Sequence, residues 1–134
     1  MDGIKYAVIC VDDDPIILQL IDFQMKKLVN ESSTIVETSV DPNEVLAKLE
    51  EIKSYGLELL FMVTDYQMPG KNGAELIRKV KSQMPELPCI LLSGQANDVA
   101  VDELKRDGLL YAFIGKPWKE EEMRVTIAPL IENT

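Results

Sequence analysis

Histidine is absent from the 134-residue sequence. Catalytic triads that use histidine, HExxH zinc sites and Cys/His zinc fingers are therefore excluded together, because each needs at least one imidazole. Cysteine is scarce as well: only Cys10 and Cys89 occur, each inside an apolar run of strand length. We expect both to be buried, reduced thiols that pack as small hydrophobic groups.

Long apolar runs and excess positive charge are also lacking. No stretch is long and apolar enough to span a bilayer, and the N-terminal MDGIKY lacks the layout of a secretory signal, so we expect a cytoplasmic protein. The 23 Asp and Glu outnumber the 14 Lys and Arg, for a net charge of −9. Because phosphate backbones bind clustered Lys and Arg, this balance argues against direct nucleic-acid binding, and nothing in the sequence points to membrane binding. Cations or basic partner surfaces suit this charge better.

The composition that remains is that of a globular domain. Hydrophobic residues make up 46% of the chain, and a chain of this length can bury a sizeable core without metals or disulfides. Because the sequence shows no repeat, low-complexity tract or linker, we expect residues 1–134 to form a single domain.

Five short apolar segments alternate with five segments whose apolar residues recur at helical spacing. The predicted strands are 5–11, 34–40, 59–65, 89–92 and 109–114. This alternation predicts an α/β fold: a flavodoxin-like, doubly wound, five-stranded parallel sheet of order 2-1-3-4-5 with five helices. The second strand is the more polar one, and we expect it at the edge of the sheet.

Capping residues mark where the first two helices begin. Asp14 followed by Pro15 predicts the N-cap and first turn of the first helix. Asp41 followed by Pro42 repeats this pattern before the second helix.

The last two helices carry weaker signals. The fourth, 97–106, should be the most mobile element, because only Val99, Ala100 and Leu104 are expected to face inward. In the fifth helix, Pro129 is expected to kink or end the helix, because proline removes a backbone hydrogen bond.

Charged or hydroxyl side chains lie at the ends of four predicted strands. Asp12 and Asp13 follow the first strand, Asp65 ends the third, Ser93 follows the fourth, and Lys116 comes shortly after the fifth. Neither Asp12 nor Asp13 is needed to cap the next helix. Strands one and three are neighbours in the predicted order, so we expect Asp12 and Asp13 to lie beside Asp65. Ser93 and Lys116 should approach from the other side.

Three neighbouring carboxylates would repel one another, so at least one should resist ionisation unless a cation binds. Mg²⁺ suits such a site, because it takes a few carboxylates and leaves positions for phosphate oxygens. Two charges from Mg²⁺ and one from Lys116 would cancel the three negative charges. The pattern predicts in-line attack by Asp65 on a phosphoryl group to form an acyl phosphate. Mg²⁺, Lys116 and Ser93 would then stabilise the three equatorial oxygens.

Several motifs occur in a specific order along essentially the whole chain. They are VDDDP at 11–15, Asp65 followed by MPG at 68–70 and NG at 72–73, LSG at 92–94, and Phe113 three residues before Lys116 and Pro117. Together they resemble the response-regulator receiver domain of two-component signalling. The resemblance implies that Asp65 is the phosphoacceptor. It also implies that Asp12, Asp13, Asp65 and the main-chain carbonyl of Gln67 hold Mg²⁺, for which Mn²⁺ could substitute.

The resemblance further implies a conformational switch. The Ser93 hydroxyl would move to the phosphoryl group, and the Phe113 ring would turn inward into the space that is vacated. Gln67 and Gln95 occupy positions that tune the lifetime of the phosphoryl group in this family.

By the same resemblance, the phosphoryl group would come from a phosphohistidine on a sensor histidine kinase or a His-containing phosphotransfer protein. Phosphorylation would alter the surface formed by the fourth helix, the fifth strand and the last helix. The domain would catalyse its own phosphotransfer and slow autodephosphorylation, and we expect a signalling switch rather than an enzyme. A C-terminal output domain, a downstream target and a homodimer all stay open as partners.

Two other functions fit parts of this pattern. A haloacid-dehalogenase-type phosphatase also uses Asp-x-Asp after its first strand, which the stretch Asp12-Asp13-Asp14 could imitate. Against it, Ile16 stands where Thr or Val is usual, and Asp65 would have no role. A receiver that no longer accepts a phosphoryl group could serve as a constitutive docking module. The complete set of acids with Ser93 and Lys116 argues against that alternative.

Overall fold

The computed structural model of the protein describes residues 3–94 and 99–134. Strands and helices alternate along these residues. The strands are β1 (Tyr6–Val11), β2 (Thr34–Ser39), β3 (Glu58–Asp65), β4 (Cys89–Ser93) and β5 (Ala112–Gly115). The helices are α1 (Pro15–Leu28), α2 (Val45–Ser54), α3 (Gly73–Gln83), α4 (Val99–Arg106) and α5 (Glu120–Ile131), and a 3-10 turn, Pro42–Glu44, precedes α2.

The strands form one parallel sheet of order β2-β1-β3-β4-β5. The predicted fold class and strand order are therefore confirmed, including the position of the polar second strand at the edge. The three inner strands are almost wholly buried, as expected for a parallel sheet covered on both faces.

Strand β1 shows how the core is divided between the two faces of the sheet. Ile9 and Val11 pack in a cluster with residues of α2, α3 and α4. Val8 and Cys10 pack in a second cluster with residues of α1 and α5. Because successive side chains of a strand point to opposite faces, helices cover both sides of the sheet, which is the doubly wound arrangement.

Helix α1 begins where the capping residues predict. The Asp14 carboxylate accepts hydrogen bonds from the backbone N–H groups of Ile16, at 2.9 Å, and Ile17, at 3.5 Å. Asp41 likewise accepts from the backbone N–H of Asn43 at 2.9 Å, but there it starts the 3-10 turn and not the α-helix itself.

The fifth strand is shorter than predicted and begins at Ala112, so the prediction of a strand over 109–114 is wrong at its start. The backbone N–H of Leu109 instead donates to the Leu104 carbonyl at 3.0 Å, which closes the end of α4. Leu109 and Leu110 pack against the core from this connection. Their hydrophobicity therefore reflects burial, which a strand and a packed loop share.

Two helix predictions can be compared with the structure, and the first needs correction. In α4, Val101 and Leu104 are the buried residues, whereas Val99 is 70% exposed and does not face inward. The predicted start of this helix, residues 97 and 98, lies outside the described residues. In α5, the helix continues past Pro129 to Ile131, so Pro129 does not end it at once, and the kink stays a prediction. The residue whose carbonyl loses its helical partner, Val125, is exposed, so water can replace the missing donor.

Both cysteines are free and buried, as predicted. Cys10 lies on β1 and Cys89 on β4, and β3 runs between these strands. Burial raises the pKa of the Cys89 thiol to about 12 and also raises that of Cys10. Both groups therefore stay protonated and unreactive at neutral pH. None of the described helices combines the length and the apolar character that a membrane crossing requires.

Candidate functional site

The strand register brings the candidate residues to one edge of the sheet. Val11 of β1 pairs with Thr64 of β3, so the residues that follow them, Asp12 and Asp65, lie at the same level. On the other side, Asp65 pairs with Leu92 of β4. Ser93 comes one residue later and pairs with Gly115, which directly precedes Lys116.

Asp12, Asp13 and Asp65 form a cluster in which one carboxylate oxygen from each lies within 4.8 Å of the others. Asp12 is 1% exposed and Asp65 is 6% exposed, whereas Asp13 is open to solvent. Two buried carboxylates therefore lie below a third one at the mouth of the site. Oxygen ligands of this kind, one side open to water, are those that Mg²⁺ prefers in proteins.

Lys116 joins two of these acids. Its Nζ lies 2.7 Å from Asp65 Oδ1 and 3.2 Å from Asp12 Oδ2, and its side chain is 25% exposed. The backbone N–H of Lys116 donates to the Ser93 carbonyl at 2.9 Å. The ammonium group thus neutralises part of a buried negative charge that would otherwise be costly to keep.

The pKa shifts of Asp65 and Lys116 show that this neutralisation is incomplete. Burial raises the pKa of the Asp65 carboxyl above its ordinary value of 3.8, and the charges of Asp12 and Asp13 raise it further, although Lys116 opposes both effects. For Lys116, burial acts to lower the pKa, but the hydrogen bonds and charges of Asp65 and Asp12 outweigh it and raise the pKa above 10.5. The expectation that one acid of the cluster resists ionisation agrees with this result.

Asp12 has a structural role that the sequence analysis did not assign. Its Oδ1 accepts a hydrogen bond from the backbone N–H of Asp14 at 2.9 Å, which holds the turn between β1 and α1. Its Oδ2 faces Lys116. The same carboxylate therefore shapes the loop and contributes charge to the site.

The loop after Asp65 folds back on the end of β3. The backbone N–H of Gly73 donates to the Tyr66 carbonyl at 2.7 Å, and Asn72 caps α3 through the N–H of Glu75 at 2.8 Å. A Cβ atom at position 73 would lie 2.3 Å from the Asp65 carbonyl oxygen, so only glycine fits this approach. The packing of Gly73 thus holds the backbone that carries Asp65.

The remaining predicted residues lie at or near this edge. Ser93 is 2% exposed at the end of β4, and Gln67 lies two residues beyond Asp65 with its side chain in solvent. Phe113 lies on β5 and is half-buried, with Lys105 Nζ 5.1 Å from its ring centroid. Gln95 lies outside the described residues. The roles assigned to these residues stay predictions.

Two residues near the site were missed or misread from the sequence. The indole N–H of Trp118 donates to Gln24 Oε1 at 2.9 Å, and Gln24 is 8% exposed. A signal for Gln24 was present, since it lies three residues after Ile21 on the buried face of α1. The sequence pattern assigned no contact to Trp118.

The protein's family follows from comparison with known proteins. A sequence model of the response regulator receiver domain matches residues 8–128, which is most of the chain. The chain therefore belongs to the response regulator receiver family. This membership favours a signalling switch over the phosphatase alternative.

Curated relatives include plant and bacterial response regulators. In an alignment 147 positions long, the chain is 24% identical to the two-component response regulator ORR4 of Oryza sativa subsp. indica, covering 96% of this chain and 61% of ORR4. It is 31% identical over 94 residues to the putative two-component response regulator ARR21 of Arabidopsis thaliana, covering 70% and 14%. With the nitrogen assimilation regulatory protein NtrX of Azorhizobium caulinodans it shares 29% over 129 residues, covering 96% and 26%. The chain thus spans less than two thirds of each of these relatives.

Solved structures show the same fold. The signal receiver domain of an HD domain-containing protein from Pseudomonas fluorescens Pf-5 has a TM-score of 0.79 at 21% identity, covering 96% of this chain and 88% of the other. The chemotaxis protein CheY4 of Vibrio cholerae has a TM-score of 0.76 at 23% identity, covering 94% and 98%. At these identities the likeness supports the fold alone.

Proposed function

We propose that residues 1–134 form one cytoplasmic receiver domain that accepts a phosphoryl group on Asp65 from a phosphohistidine of a sensor kinase or phosphotransfer protein. The observation that carries this proposal is the contact of Lys116 Nζ with both Asp65 and Asp12 inside the cluster of three acids. A nucleophilic carboxylate, a half-buried cation and two further acids are the groups that phosphoryl transfer to an aspartate requires.

The oxygen ligands of the acid cluster suit a divalent cation. Asp12, Asp13, Asp65 and the main-chain carbonyl of Gln67 would hold Mg²⁺, and Mn²⁺ could substitute, because these are oxygen ligands with water at the open side. When bound, the ion would supply positive charge that cancels the repulsion between the acids and the incoming phosphoryl oxygens.

The protein's own residues provide the rest of the chemistry. A carboxylate oxygen of Asp65 attacks phosphorus, the new O–P bond forms as the P–N bond to the donor imidazole breaks, and the bonding electron pair leaves with the imidazole nitrogen. Lys116 moves its 2.7 Å contact from Asp65 Oδ1 to a phosphoryl oxygen. The Ser93 hydroxyl, at the adjacent strand end, donates to another of these oxygens.

The phosphohistidine donor must lie outside these 134 residues, because they contain no histidine. Helix α1 offers a surface for it, since Ile16 is 76% exposed, Leu20 45% and Phe23 62%. Leu20 and Lys116 line the same cavity, so this apolar surface adjoins the acid cluster. An exposed apolar patch of this kind is typical of a protein interaction site.

The direct test is to incubate the protein with phosphoramidate and Mg²⁺ and to measure its mass. We expect the added mass of one phosphoryl group, lost again on exposure to hydroxylamine, which cleaves acyl phosphates. Chelation of the divalent ion should prevent incorporation. A folded protein that gains no phosphate under these conditions would instead support the constitutive docking module.

Phosphorylation should also change the surface formed by α4, β5 and α5. The half-buried Phe113 ring and Ser93 lie on adjacent strands, and Lys105 of α4 contacts the ring. Movement of Ser93 or Phe113 would therefore shift α4. We expect beryllofluoride with Mg²⁺ to alter hydrogen exchange over residues 93–125 relative to Mg²⁺ alone. Unchanged exchange there, with beryllofluoride shown to bind, would contradict the proposed switch.

The output of the switch would be an attached domain, a downstream protein or a second copy of the chain. Several relatives are much longer than this chain; NtrX, for example, is covered over only 26% of its length. Comparison with the full-length gene product would show whether an output domain is joined to this receiver.

A further inference from the structure

We propose that Gln24 and Trp118 are positioning residues that hold Lys116 in place against the acid cluster. This inference rests on the function proposed above, in which the Lys116 ammonium contacts Asp65 and then the phosphoryl group. The observation behind it is the hydrogen bond from Trp118 Nε1 to Gln24 Oε1, at 2.9 Å, between residues that are 94 positions apart in the chain.

The bond joins the two segments that carry the site. Helix α1, which contains Gln24, starts directly after the turn of Asp12 and Asp13. Trp118 comes two residues after Lys116, in the connection between β5 and α5. The direct contact of Lys116 with Asp12, together with the Trp118 to Gln24 bond, therefore links these segments at two points.

Lys116 needs such a fixed point because it is not tightly packed on the side of α1. A cavity of about 310 Å³ lies there, lined by Ile17, Leu20, Gln24, Lys116, Pro117 and Trp118. The backbone of Lys116 is held on one side by its bond to the Ser93 carbonyl. On the other side, the next polar contact along the chain is that of Trp118 with Gln24.

The side-chain chemistry of Gln24 and Trp118 also supports a positioning role. Gln24 lies on the same face of α1 as the buried Leu18, Ile21 and Met25. A polar group in such a face is costly to bury unless it is hydrogen-bonded, and an indole N–H can only donate. Two apolar residues would fill the same space, but they would not fix the direction from which the chain approaches α1.

The test uses the substitutions Gln24→Met and Trp118→Phe, singly and together, because they remove the acceptor and the donor and keep a large apolar side chain at each position. Lys27→Gln is the matched control: the Lys27 to Glu120 ion pair joins α1 to the start of α5, at 3.0 Å, but both side chains are more than half exposed. Cooperative thermal unfolding of each variant establishes that it is folded.

The first measurement is the ¹⁵N NMR signal of the Lys116 ammonium in metal-free protein, assigned by its loss in Lys116→Met. We expect a resolved signal in the wild type and the control, because a hydrogen-bonded ammonium exchanges slowly. In Gln24→Met and Trp118→Phe the signal should broaden or disappear. Because no phosphoryl group is involved, this measurement decides the positioning role even if the wild type takes up no phosphate at Asp65.

The second measurement is the rate of phosphorylation by phosphoramidate with Mg²⁺. At saturating donor, each single variant should be slower by about tenfold, whereas the half-saturating donor concentration should change by less than about twofold. The double variant should be no slower than either single variant, because one bond is lost in all three. Wild-type rates together with an unchanged Lys116 signal would overturn the inference, as would single effects that multiply in the double variant.

Discussion

The Asp65→Asn variant is expected to incorporate no phosphoryl group at all under conditions that phosphorylate the wild-type protein fully. An amide oxygen is a far weaker nucleophile than a carboxylate, and it cannot form the acyl phosphate. The mass of the intact protein after incubation with phosphoramidate and Mg²⁺ measures this directly. Asp22→Asn is the matched control, because it makes the same change in an acid paired with Lys26 at the surface of α1, and it should incorporate phosphate normally.

Phosphate that remains on Asp65→Asn would show that another group is the acceptor. The acid cluster would then be a cation-binding site only. The phosphatase and the constitutive docking module would again be the candidate functions. Tandem mass spectrometry would then locate the acceptor.

The same variant should be more stable than the wild type in metal-free buffer. The pKa of Asp65 is raised in the folded state by burial and by Asp12 and Asp13, against the opposing effect of Lys116, so the ionised carboxylate costs free energy on folding. Removal of its charge should raise the free energy of unfolding at neutral pH by about 1 kcal/mol, or the melting temperature by about 4 °C.

The sign of the pH dependence follows from the direction of this shift. Above the raised pKa the wild type carries the full penalty of the ionised group, and below the ordinary value of 3.8 it carries none. The advantage of Asp65→Asn should therefore shrink as the pH falls towards that value, and denaturant unfolding at several pH values would show it. An advantage that grows with falling pH would contradict this account.

Lys116→Met should have the second largest effect. The variant loses the cation that contacts Asp65 at 2.7 Å and that would stabilise a phosphoryl oxygen, so we expect phosphorylation to slow by about 10² to 10³-fold. The time course of phosphoramidate labelling measures the rate. Lys27→Met, which breaks the exposed ion pair with Glu120, should keep the wild-type rate.

The stability of Lys116→Met should fall at the same time. Asp12 and Asp65 would be left buried without their cation, at a cost of about 2 kcal/mol in metal-free buffer, less than for a fully buried pair because Lys116 is partly exposed. Mg²⁺ should recover part of this loss, because it replaces the missing charge. A variant that is labelled at the wild-type rate would show that Lys116 has only a structural role.

Helix starts and strand ends could be read from the sequence because they depend on residues that are close together in the chain. Asp14 before Pro15 defines the start of α1 through local hydrogen bonds. The acids at 12, 13 and 65 and Lys116 follow buried strands, and the right-handed crossover rule brings strand ends of this kind to one edge of the sheet.

The errors arose where apolar residues are buried without following a regular pattern. Leu109 and Leu110 pack against the core from a loop, and periodicity cannot distinguish such residues from a strand. Val99 was expected to face inward, but the direction of a short helix depends on how it packs, and Val101 is the buried residue instead.

The sequence by itself determined the order of the elements, the fold class and the set of acids, hydroxyl and lysine at the strand ends, because these follow from local periodicity, capping and strand topology. Only the tertiary structure decided that Lys116 contacts both Asp65 and Asp12, that Asp12 also holds its turn, and that Gln24 accepts from Trp118. The physical reason is that side-chain contacts between distant segments depend on the positions of every element packed between them. No local pattern in the chain encodes those distances.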